Sequence, residues 1–202
     1  MTHNPFENWG ITLIEGPMGA GKSTTAAAYT IDAYRKSEGK IKIFAVNMHL
    51  YSSKDLKIKY VYCPSVHDLL LHCNSDLVSD GINIVDEAYI AAEARRGMNP
   101  MSILWSWYSY QIRKRHIQMY YIVQNGRFIE WRLRWAMLKR IVCEADDRNP
   151  GRIWLTVKYL QGPLRGTEKK FSYDGSQYWP YFDTDELPHI PMKMIEKAGA
   201  WA

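Results

Sequence analysis

The chain has 202 residues, 47% hydrophobic and 23% charged, with a formal net charge of +5. That is the size of one domain able to bury about 70% of its unfolded surface, and the balance excludes a disordered, collagen-like or disulfide-stapled chain. Aromatic residues reach 13%, with eight Trp and fourteen Tyr, and the three cysteines (Cys63, Cys73, Cys143) have no CxxC spacing, which fits reduced thiols. Residues 1–10 lack the basic start and apolar run of a signal peptide. The longest uncharged stretch, Gly97 to Ile112, is too short and too polar to span a bilayer, so a cytoplasmic protein is expected.

Alternating strand and helix patterns predict an α/β layer fold. Ile11 to Glu15 reads as an apolar strand, followed by a Gly-rich turn and a helix from Lys22 to about Ser37 that Gly39 ends. Ile41 to Asn47 gives a second strand, and the alternation in Leu56 to Tyr62 predicts a half-exposed one. Pro64-Ser65 with Asp68 announces a short helix over Val66 to Cys73. Ile82 to Val85 is a buried strand ending in Asp86-Glu87. Asn99-Pro100 opens a helix whose predicted apolar face is Ile103, Leu104, Trp107, Tyr108 and Ile112. Met119 to Val123 is a further buried strand, followed by a helix from about Phe128 to Leu138 and a strand from Arg140 to Glu144. Arg152 to Leu160 and Lys169 to Tyr173 read as antiparallel strands extending the same sheet. A single domain is expected, with a core of about 11–145 and a β extension of about 150–185.

Gly16-Pro17-Met18-Gly19-Ala20-Gly21-Lys22-Ser23 matches the phosphate-loop pattern G-x-x-x-x-G-K-S/T in full, and it lies between a strand and a helix. Glycines let successive backbone N–H groups converge on phosphate oxygens, and the helix start adds its positive dipole end. Lys22 can reach the β- and γ-phosphates of ATP, the Ser23 hydroxyl can ligate Mg²⁺, and Thr24 completes the binding segment. Downstream, an apolar strand delivers two adjacent carboxylates. Asp86 is expected to hold the Mg²⁺ shell and Glu87 to polarise an attacking water, the alternative being a simple helix cap. Glutamate directly after the aspartate favours hydrolysis over phosphoryl transfer to a metabolite. Gln124, at the end of another buried strand, is a candidate γ-phosphate sensor.

The positive charge is concentrated. Between Gln111 and Arg140 eight basic residues face one acid, Glu130, a local charge of +7, so the remainder of the chain is slightly acidic. Such a cluster suits a nucleic-acid backbone or an arginine finger reaching a neighbour's site. Arg113 and Arg115 are the preferred finger candidates, with Arg95 and Arg96 second. Trp131 and Trp135, at i and i+4 among these bases, are expected to form a core stripe, with stacking on bases the alternative. His67 and His72, five apart, do not share a helix face, so no metal site built from protein ligands is expected.

The order of phosphate loop, strand with Asp-Glu, basic helix with Arg-Lys-Arg-His, strand ending in Gln and Arg-rich helix resembles the FtsK–HerA superfamily of additional-strand P-loop ATPases. Within it, the compact viral genome-packaging ATPases and the Zot-like assembly proteins of filamentous phages are nearest, and Tyr178 to Thr184 resembles the end of the Zot-like nucleotide domain. The resemblance spans roughly Ile11 to Asp185. It implies a ring oligomer, expected to be a hexamer, that threads double-stranded DNA while hydrolysing ATP at subunit interfaces. Lys22 and Ser23 would bind phosphate and magnesium, Asp86 and Glu87 catalyse, and Gln124 act as sensor. Zot-like proteins usually continue into a transmembrane helix that this chain lacks, which favours packaging, in host cytoplasm or virion, with a capsid or portal partner. A phage assembly or extrusion ATPase, a small P-loop kinase with the basic segment as its lid, and a non-enzymatic assembly protein remain the competing expectations.

Overall fold

The computed structural model describes residues 9–72, 79–88 and 100–183. Eight strands form one sheet: β1 (Gly10–Glu15), β2 (Lys42–Val46), β3 (Val61–Cys63), β4 (Gly81–Val85), β5 (Ile117–Val123), β6 (Met137–Ala145), β7 (Arg152–Tyr159) and β8 (Glu168–Asp174). Their order is β3-β2-β4-β5-β1-β6-β7-β8. The first six are parallel; β7 and β8 then add antiparallel to β6. The parallel core with its antiparallel extension is the architecture expected from the sequence.

β1 and β4 are buried at every residue, as strands covered on both faces must be. One face carries α1 (Lys22–Lys36), which packs Ala26, Ala27, Ile31 and Tyr34 against Ile14, Ile43, Ile84 and Ile122. The alanines of its first turns bring the helix close to the sheet, and the Ser176–Tyr181 turn of 3-10 helix lies on the same side. The other face carries α2 (Val66–His72), α3 (Pro100–Gln111) and α4 (Trp131–Ala136), which close over Leu13, Phe44, Val85, Met119 and Tyr121. The Ser65 hydroxyl accepts from the Asp68 N–H and donates to its carboxylate, the cap that Pro64-Ser65 announced.

Three expectations are corrected. Leu56 to Tyr60 is not a strand. Side-chain hydroxyls replace ladder partners there: Ser52 Oγ accepts from the Ile58 N–H at 2.9 Å, and the Tyr34 hydroxyl accepts from Lys59 N–H and donates to the Lys57 carbonyl. Ile58 is buried on the α1 side all the same, so the alternation marked burial without pairing. In α3 the buried side chains are Trp105, Tyr108 and the following Ile112, with Ser106 and Ser109, while Ile103, Leu104 and Trp107 are about half exposed. A nearly all-apolar helix carries little periodicity from which to choose its inner face. The helix predicted over 128–138 is split. Gly126–Phe128 forms a 3-10 turn, α4 has six residues, and the chain is already extended at Met137. Met137 is buried as a β1 partner, so sheet pairing takes the residues a helix would have used.

Candidate nucleotide site

The phosphate loop joins β1 to α1 at the carboxyl edge of the parallel strands, where ligands of open α/β sheets bind. Two of its glycines have required conformations. Gly21, the N-cap of α1, has φ 82°, and a Cβ there would stand 2.4 Å from Ile153 Cδ1. Gly19 has φ 76°, and among the described residues nothing beyond its chain neighbours lies within 4 Å of an added Cβ, so it opens onto space. Pro17, Met18 and Gly19 are exposed, whereas Ala20 is buried under the loop. Lys22 Nζ donates to the Pro17 carbonyl at 2.8 Å, folded back over the loop. Burial lowers the Lys22 pKa, opposed by the nearby Asp86 carboxylate.

The register Val46↔Val85 sets the ends of β2 and β4 side by side, and Asp86 N–H donates to the Val46 carbonyl. This fixes Asp86 opposite the start of α1. Ser23 Oγ donates to Asp86 Oδ2 at 2.8 Å, and Glu87 N–H donates to Asp86 Oδ1 at 2.8 Å. Burial pushes the Asp86 carboxyl up to about 6, against the pull of these two donors. A carboxylate so desolvated gains from a cation, and the hydroxyl–carboxylate pair is the donor set that magnesium accepts. The residues present therefore fit Mg²⁺ and a nucleotide triphosphate. Glu87 has φ 50°, a left-handed backbone that costs a non-glycine residue about 1–3 kcal/mol, strain of the sort that concentrates where a side chain must be aimed. Gln124 follows β5 at the same edge, one residue past the pair Glu15↔Val123, and is exposed.

Arg113 and Arg115 lie elsewhere. They belong to the turn between α3 and β5, at the amino edge of the sheet, opposite the phosphate loop. Arg113 Cγ is 3.8 Å from the Cβ position of Gly10, the first residue of β1. Arg95 and Arg96 lie outside the described residues. Two other members of the basic window are structural. Arg140 Nε donates at 2.7 Å to buried Glu15, which also accepts the Gly126 N–H at 2.8 Å, and Arg132 pairs with buried Glu130.

Several residues that sequence reasoning missed complete the site. A cavity of about 580 Å³ runs from Gly19, Lys22 and Thr24 to a far wall of Pro150, Arg152, Trp179 and Phe182. The β6–β7 turn and the 3-10 turn build this wall, with Asp146 accepting the Arg148 and Asn149 N–H groups to hold the turn. Size and lining suit the nucleoside beyond a bound triphosphate, with an indole to stack and a guanidinium to offer charge. Long-range strand order brings residues 150–182 to the loop at 16–24; the resemblance over Tyr178 to Thr184 marks part of this segment but gives Trp179 and Phe182 no place in the site. Asn47, also left-handed (φ 54°), follows β2, and among the described residues its buried amide oxygen has no hydrogen-bond partner.

The fold recurs in solved structures. The N-terminal domain of zonular occludens toxin from Neisseria meningitidis superposes with a TM-score of 0.61 at 20% identity, covering 87% of this chain and 99% of that one. The genome-packaging NTPase B204 of Sulfolobus turreted icosahedral virus 2, in complex with ATP-γS, gives 0.59 at 14% identity, covering 83% and 97%. The fold is that of the P-loop NTPases. The KaiC-like protein PH0186 of Pyrococcus horikoshii superposes with a TM-score of 0.50 at 15% identity, covering 81% of this chain and 84% of that one. No protein-family model matches the sequence, and no curated protein matches it.

Proposed function

We propose that this P-loop NTPase is an ATP-hydrolysing motor that moves DNA, and that it packages a viral genome. The observation that carries the reading is the Ser23–Asp86 contact with Glu87 alongside, at the open edge of the phosphate loop. In this reading the loop amides and Lys22 hold the β- and γ-phosphates. Ser23 and Asp86 would hold Mg²⁺, which would supply Lewis-acid stabilisation of phosphate charge. Glu87 takes the proton from the attacking water, and Gln124 reads the γ-phosphate from the next strand. Arg113 and Arg115, at the opposite edge from their own phosphate loop, would act on a neighbour's site in a hexameric ring. The likeness to a genome-packaging NTPase supports the cargo, and a capsid or portal vertex would be the docking partner.

The likeness to the zonular occludens toxin domain keeps a phage assembly or extrusion ATPase as the second reading. For the kinase reading, the basic turn at 113–115 stands at the amino edge of the sheet, away from the phosphates, while Arg127 of the same basic segment follows β5 at their edge.

Phosphate release with and without duplex DNA tests the proposal. Lys22→Ala should abolish turnover, Glu87→Gln should lower it by about 10²–10⁴-fold while ATP still binds, and DNA should stimulate the wild type. Turnover indifferent to both Glu87→Gln and DNA, or a phosphorylated acceptor in place of free phosphate, would sink it.

A further inference from the structure

Trp131 and Trp135 are not a core stripe. Their fractional exposures are 59% and 75%, although they neighbour one another at i, i+4 on α4. The residue of α4 that enters the core is Leu133. The two indoles instead line an open cavity of about 720 Å³, floored by Met137 and Leu160 and flanked by Arg134, Gln161 and Arg165. The cavity lies at the amino edge of the sheet, at the start of β6 and the end of β7, opposite the nucleotide site. Its far wall is the β7–β8 turn, anchored to α4 by the Gln161 amide donating to the Trp135 carbonyl and to the start of β6 by the Leu160 N–H donating to the Leu138 carbonyl at 2.8 Å. The cleft is thus preformed.

Among the described residues neither Arg134 nor Arg165 has a carboxylate partner, in contrast to Arg132 and Arg140. A second cavity beside it adds Arg113 and Lys139. Free guanidinium groups beside exposed planar rings complement a polyanion that also carries flat apolar faces. A protein partner would leave those arginines to be matched by acids, and a closed duplex hides its base faces within the stack.

We propose that this cleft binds a single-stranded nucleic acid, with unpaired bases stacked on Trp131 and Trp135 and phosphates held by Arg134 and Arg165. The site is separate from the nucleotide pocket and does not depend on it.

Fluorescence anisotropy of a labelled thymidine 20-mer, measured without nucleotide over a range of salt, is the test. Stacking contributes about 1–3 kcal/mol per base, so Trp131→Ala and Trp135→Ala should each weaken binding about 5- to 150-fold. Arg134→Ala with Arg165→Ala should lower the slope of log K against log salt by about 1.4, roughly 0.7 for each lost contact. A blunt 20-base-pair duplex should bind less tightly and be indifferent to the Trp variants. All four side chains are exposed, so folding should be retained, and Lys22→Ala should leave strand binding intact while abolishing ATP binding. That separates failure of this proposal from failure of the ATPase reading. No binding of the 20-mer, Trp variants that bind like the wild type, or Trp variants that change only the oligomeric state would each overturn it, the last making the cleft a contact between copies of the chain.

Discussion

Replacing Asp86 by Asn should make the ligand-free protein more stable while removing its response to magnesium. Burial raises the Asp86 carboxyl from its ordinary 3.8 to about 6, a shift of roughly two units at 1.36 kcal/mol each, or about 3 kcal/mol. The sign follows from proton binding. The folded state holds this proton more tightly than the unfolded chain, so the contribution of Asp86 to stability is most favourable below about pH 4 and falls as pH rises to about 6. Above that, the ionised group is a constant burden on the fold. Asparagine is neutral throughout and keeps an oxygen for the Ser23 hydroxyl or the Glu87 N–H, so the net gain at pH 7.5 should be about 1–3 kcal/mol. For a chain of this size that raises the Tm by roughly 2–12 °C. Thermal or urea unfolding of wild type and variant at pH 4, 5, 6 and 7.5 gives a difference curve that isolates this group. The curve should be near zero at pH 4 and open by pH 7.5. Adding ATP with Mg²⁺ should stabilise the wild type far more than the variant. An Asn variant less stable than wild type at pH 7.5, or a difference that does not change with pH, would refute the reasoning.

Trp179→Ala should weaken ATP binding by about 5- to 150-fold through lost stacking while leaving inorganic tripolyphosphate binding unchanged, as titration calorimetry would show. Gly21→Ala forces a Cβ into Ile153 and a side chain onto φ 82°; binding of both ligands should be lost, with unfolding shifted by at least about 1–3 kcal/mol. Arg140→Ala leaves buried Glu15 with the Gly126 N–H and without its guanidinium, and chemical denaturation should register about 1.5–3 kcal/mol of destabilisation.

The phosphate loop and the Asp-Glu strand were legible because their chemistry is local. Gly16 to Ser23 must be consecutive, and Val85 hands directly on to Asp86. Strand order was not, since Gly10 to Glu15 pairs with both Ile117–Val123 and Met137–Ala145, and nothing in those segments names their partners. The far wall of the pocket, Arg152 and Trp179, shares this cause. The inner face of α3 was misread for a different one: with Ile103, Leu104, Trp105, Trp107 and Tyr108 nearly continuous, burial is decided by what the sheet offers, and the aromatic shelf of Tyr121 took Trp105 and Tyr108. Trp131 and Trp135 were expected inward by spacing alone. A helix of six residues between a turn and a strand has room to bury little more than Leu133.

β7 begins at Arg152 and Ile153, against the phosphate loop, and ends at Tyr159, one residue before Leu160 of the aromatic cleft. Eight extended residues make a strut of roughly 27 Å. Ile153 fills the space where a Gly21 Cβ would stand, so a ligand that shifted the loop would bear on one end of this hydrogen-bonded strand. Whatever occupancy at one end does to affinity at the other must be returned in equal measure. A strand in the cleft would then tighten or loosen nucleotide by the same factor that nucleotide changes its grip on the strand.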